Sequence, residues 1–117
     1  MLSRRILLAA PAALVSAIAL GGPADAQRYP ERPVTLIVPW AAGGGADIVS
    51  RILAAGLEKE MGQPVNVINR TGGSGVTGHT TIMTAAPDGY TIGVATAEMA
   101  TFKAIGLADI TPHNFDI

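Results

Sequence analysis

Apolar residues fall into blocks of two different periods along the chain, with glycine or proline at each change. Val34 to Val38 (VTLIV) is short, β-branched and almost continuously apolar, which predicts a strand covered on both faces as in a parallel sheet. Ahead of it, Tyr29 to Pro33 reads as an extended, proline-stiffened lead-in. Beyond Pro39 and the glycines Gly43 to Gly45 the spacing changes. Val49, Leu53, Leu57 and Met61 recur every fourth residue, Ile48 and Ile52 widen the stripe, and Arg51, Glu58 and Lys59 fall largely outside it. This predicts a helix from about Ala46 to Met61 with one apolar stripe. Gly62 and Pro64 follow in the order expected at a helix C-terminus.

The unit then recurs. Val65 to Ile68 predicts a second strand, Asn69 to Gly75 a glycine-rich loop, and Val76 to Ala86 a shorter helix. Pro87-Asp88-Gly89 predicts a turn, Thr91 to Ala95 a third strand, and Glu98 to Gly106 a short helix. Such alternation implies an α/β fold with a parallel sheet and right-handed crossovers. Ligands of such sheets lie beyond the carboxyl ends of the strands, where Pro39 to Asp47, Asn69 to Gly75 and Thr96 to Glu98 converge. Leu107 to Ile117 reads as a loop leading into another strand. Three strands make a marginal sheet, so a partial lobe is expected.

Composition narrows the picture. Met1 to Ala26 reads as a secretory signal: Arg4 and Arg5, the mostly apolar Ile6 to Leu20, then the small-x-small site Ala24-Asp25-Ala26. The apolar run, interrupted by Pro11 and Ser16, is short for a membrane span. Ser3-Arg4-Arg5 also resembles a twin-arginine signal. The mature product, residues 27–117, is expected to be a soluble periplasmic lobe. Cysteine is absent, which removes disulfides and thiol catalysis. The basic residues after the leader (Arg28, Arg32, Arg51, Lys59, Arg70, Lys103) form no cluster, so no nucleic-acid partner is expected. His79 and His113 are far apart and read as ordinary polar positions, not metal ligands.

The candidate chemistry lies in the glycine-rich loops. Each leads into a helix whose first-turn amides and dipole attract anions, so a carboxylate is the natural guest. Glycines allow close approach, and Thr71, Ser74 and Thr77 add hydroxyl donors. Asp47 would complement the dipole or cap exposed amides, a structural task. Glycines that merely make tight turns are the plainer reading, but two such loops on adjacent strands would line one cleft. The competing reading is a dinucleotide site: Gly73-Ser74-Gly75-Val76-Thr77-Gly78 matches G-x-G-x-x-G, with Glu98 placed as the ribose-binding acid. No nucleophile, base and orienting group can be assembled, no G-x-S-x-G elbow occurs, and no P-loop lysine follows either glycine run. Binding without catalysis or cofactor is expected.

Several motifs in order resemble the Bug-type (TctC-like) substrate-binding proteins of tripartite tricarboxylate transporters. They are Tyr29-Pro30 with Val34 through Pro39-Trp40-Ala41-Ala42-Gly43-Gly44-Gly45-Ala46-Asp47, then Gly62-Gln63-Pro64-Val65, Asn69-Arg70 with Gly72 to Gly78, and Ala86-Pro87-Asp88-Gly89-Tyr90-Thr91. The resemblance implies one lobe of a periplasmic binding protein-like (type II) clamshell, the second lobe missing, which holds a small carboxylate for membrane transporter subunits. It places Trp40, Ala42, Gly43, Gly44, Gly45 and Asp47 in a first ligand loop and Thr71, Gly72, Gly73, Ser74 and Gly75 in a second. Trp40 would be a cleft wall or a core aromatic. Thr96 and Glu98 follow the third strand, where many members carry small hydroxyl residues. A cleft-facing Glu98 would repel a second carboxylate and favour an amine or neutral group; a surface Glu98 capping its own helix is the alternative.

Overall fold

The computed structural model describes residues 28–115; the expected signal segment, residues 1–26, lies outside them. Strands β1 (Val34–Val38), β2 (Val65–Asn69) and β3 (Thr91–Gly93) form one sheet in the order β2-β1-β3. Both pairings are parallel, with Val34 opposite Val65 and Thr35 opposite Thr91. The apolar run of the central strand is explained directly: Val34, Leu36, Ile37 and Val38 are at most 3% exposed, because neighbours lie on both edges and both faces.

Helix α1 (Gly45–Met61) joins β1 to β2 and ends on Gly62, whose left-handed backbone lets its N–H donate to the Glu58 carbonyl. The Glu58 carboxylate accepts the Val65 N–H at 2.9 Å and so ties the helix end to β2. Ala54, Leu57 and Met61 pack with Val34, Leu36 and Val65, but Ile48, Val49, Ile52 and Leu53 are all more than half exposed. The expected stripe is therefore only half right. Residues four apart advance about 40° around a helix, so a run from 49 to 61 winds away from any single face. The face that meets the sheet instead carries Asp47, Ser50 and Ala54 at the N-terminal end.

After β2, a 3₁₀ turn (Gly73–Gly75) leads into α2 (Val76–Met83), three residues shorter than the pattern suggested. α2 lies so close to the sheet that a Cβ on Gly78 would stand 2.6 Å from the Pro39 Cα and 2.7 Å from the Arg70 carbonyl oxygen. The expected helix at Glu98 to Gly106 is a 3₁₀ turn over Ala97–Ala100 followed by irregular turns. Met99 and Phe102 in this stretch serve packing rather than a helical stripe, forming with Ile110 a second core cluster against Val76, Met83 and Phe115, whereas Ile105 is turned out. The lead-in is fixed by Tyr29, edge-on to Tyr90, and by Arg32, which stacks on the Tyr90 ring and pairs with Asp88 at 3.1 Å.

Candidate ligand-binding site

Because the strands are parallel, their carboxyl ends lie along one edge of the sheet, and the segments 39–47, 69–75 and 96–98 emerge there together. The first two are joined by a polar clamp. Asp47, only 3% exposed, accepts the Gly43 N–H at 2.8 Å and the Arg51 Nε–H at 3.0 Å on Oδ2. Its Oδ1 accepts the Asn69 amide at 3.0 Å and lies 3.0 Å from the Arg51 Nη2. Asn69 also donates to the Trp40 carbonyl at 2.9 Å and accepts from Arg51 at 3.1 Å. The Arg51 hydrogen bond, then those from Gly43 and Asn69, hold the Asp47 carboxyl well below the usual carboxylate range, against the opposing effect of burial. Asp47 thus grips its own loop and the end of β2, and all these contacts are internal.

The loops above the clamp are open. No side chain caps the first turn of α1, of the 3₁₀ turn at Gly73, or of α2. Gly45 and Ala46 occupy the first two positions of α1, where an amide has no acceptor within the helix. Ala42, Gly43, Gly44 and Gly45 are exposed, as are Thr71, Gly72, Gly73 and Ser74. Trp40 spans the two loops: a Cβ on Gly75 would lie 3.2 Å from its indole, and Gly75 itself has φ +94°. The aromatic is therefore half-buried as a wall against the second loop, between the two roles the sequence left open.

His79 is fully buried, which corrects its reading as an ordinary polar position; His113 is exposed. The His79 Nδ1 lies 2.8 Å from the Gly75 carbonyl and Nε2 lies 3.4 Å from the Thr96 hydroxyl, so the ring stands between the second and third loops. Phe102 and Phe115 meet it edge-on. Glu98 is exposed in the 3₁₀ turn Ala97–Ala100 and caps nothing there; its carboxylate has no hydrogen-bond partner among the described residues. The signals for what sequence reasoning missed were local: Arg51 lies four residues after Asp47, and His79 four after Gly75.

The glycine fingerprint is used for packing. Gly78 admits Pro39 and Arg70, Gly75 faces Trp40, and the motif follows the edge strand β2 rather than the central one. A cavity of about 540 Å³ lies elsewhere, along β3 and α2, lined by His79, Ile82, Met83, Ile92, Val94 and Phe115. None of the sequence-expected site residues lines it. Among the described residues no group of three or more His, Cys, Asp or Glu could hold a metal ion, and no helix is long and apolar enough to cross a membrane.

A parallel α/β lobe with open loops at its strand ends is the architecture of part of a periplasmic binding protein. Residues 49–106 match the family described as the tripartite tricarboxylate transporter family receptor. Protein BugT of Bordetella pertussis is 35% identical over 107 residues, covering 92% of this chain and 33% of BugT. The crystal structure of a TctC solute-binding protein from Polaromonas superposes with a TM-score of 0.67 at 37% identity, over 71% of this chain and 29% of that one. MatC from Rhodopseudomonas palustris, solved with bound malate, gives a TM-score of 0.52 at 43% identity, over 54% of this chain and 21% of MatC. Over the stretch it shares with them, the chain belongs to the Bug-type, TctC-like receptor family. It spans about a third of the length of BugT.

Proposed function

We propose that this chain forms the carboxylate-gripping part of an exported, periplasmic solute receptor that presents a small organic acid to a tripartite tricarboxylate-type transporter. The observation that carries the reading is the clamp. Asp47, Arg51 and Asn69 hold the start of α1, with no side-chain cap, beside the second glycine loop. The amides of Gly43, Gly75, Val76 and Thr77 are bonded internally, and those of Gly45, Ala46, Gly73 and Ser74 are the ones open to a guest. Amides in that position bind an anion through hydrogen bonds and the helix dipole. In this reading Gly43, Gly44 and Gly45 approach the carboxylate from one side, Gly72, Gly73 and Ser74 from the other, and Trp40 forms the wall. The malate held by MatC supports a carboxylate as the guest class. A lobe of this size covers one side of a ligand only, so its own affinity is weak.

The test is an NMR titration of the full chain with malate. Amide shifts confined to residues 43–47 and 72–77, with a dissociation constant in the millimolar range or weaker, are expected. Shifts that avoid both loops overturn the reading. A parallel titration with NAD separates the dinucleotide alternative, which requires the amides of Gly73 to Gly78 and Glu98 to respond to the nucleotide and not to malate.

A further inference from the structure

The buried ring between the second and third loops decides which partners the third loop can accept. A carbonyl oxygen only accepts hydrogen bonds, so the 2.8 Å contact between the Gly75 oxygen and His79 Nδ1 requires the ring proton on Nδ1. In the neutral ring, Nε2 is then an acceptor. Thr96 stands 3.4 Å from it, a long contact, and its hydroxyl is the donor of the pair. With its proton directed inward, the half-buried Thr96 oxygen offers a ligand lone pairs alone. Glu98, two residues on, adds an exposed carboxylate that also only accepts.

We infer that the third loop, set by the His79 tautomer, selects carboxylates that carry a hydrogen-bond donor, an ammonium or hydroxyl group, at the end remote from the carboxylate. The inference rests on the reading above, in which the first two loops take the acid group, and it names the substrate class of that same site. The first two loops present amide donors and the third presents acceptors, so the site is polarised from one side to the other. A second carboxylate at the far end meets lone pairs and the charge of Glu98.

Two measurements on the full chain test this. In the protein labelled with ¹⁵N-histidine, the ring correlations of His79 are expected to show the Nδ1–H tautomer; an Nε2–H ring overturns the inference outright. Loop amide shifts are then followed on adding butyrate, 4-aminobutyrate and succinate, four-carbon chains that differ only at the far end. 4-Aminobutyrate is expected to bind about fivefold more tightly than succinate, on the scale of one net hydrogen bond. In Thr96→Val with Glu98→Gln the three ligands are expected to become equal. Equal binding to the unaltered chain, or a preference for succinate, overturns the inference and leaves the carboxylate reading standing. If none of the three moves the first two loops, that reading fails and the inference falls with it.

Discussion

Single residues in this chain act through contacts that residue type alone does not reveal. Asp47 is a carboxylate near a proposed anion site, yet it faces inward to Arg51, Gly43 and Asn69. Those partners stabilise its charged form, so its carboxyl titrates below the ordinary range. The stabilisation is therefore complete above the unfolded-state pKa of about 4 and is lost as pH falls below it. Melting temperature measured from pH 7 to pH 2 is expected to drop at the acid end. Asp47→Asn is expected to melt lower than the parent at pH 7 and to show a shallower acid limb; an unchanged acid limb would remove Asp47 from the clamp. Gly78→Ala places a methyl group against the backbone of Pro39 and Arg70, and by overpacking it is expected to cost about 1–3 kcal/mol in denaturant unfolding. Gly56, in α1 with nothing within 4 Å of an added Cβ, is expected to respond oppositely, gaining about 0.5–1 kcal/mol as alanine.

Among the elements, β1 and α1 differ in how far their patterns can be trusted. A central parallel strand is covered on both faces and both edges, so four apolar residues out of five, broken only by Thr35, fix its place. A helix has one covered face, and the sequence does not say which roll wins when two stripes compete. In α1 the polar clamp and the small Ala54 take the inner face, and four larger aliphatic side chains are turned out. Ile52→Ser, at a position 70% exposed, is accordingly expected to change stability by no more than about 0.5 kcal/mol. Leu36→Ala in β1, 2% exposed, is expected to cost about 2–5 kcal/mol. Urea unfolding of both variants checks the assignment; comparable losses would mean that α1 is rolled the other way.

For the molecule as a whole, the order of elements, the parallel sheet and the convergence of three loops were legible because each rests on local information. The strands announce themselves by β-branched runs, the helix stop by Gly62, and the loops by glycine and proline. Pairing of distant side chains has no such local signature. The Asp47–Asn69 bond, the Trp40 wall against Gly75 and the His79 contact with Thr96 join residues that only the folded sheet makes neighbours. The end of α2 at Met83 and the 3₁₀ turn in place of a helix at Glu98 were likewise set by packing. By itself the sequence determined an α/β lobe with glycine-lined loops at its strand ends, since hydrophobic period and turn chemistry act over a few residues. Tertiary structure alone decided which face of α1 is buried, which carboxylate is engaged and which hydroxyl proton is turned inward. Those choices depend on contacts made across the sheet, where burial makes an unpaired polar group costly and so fixes its partner.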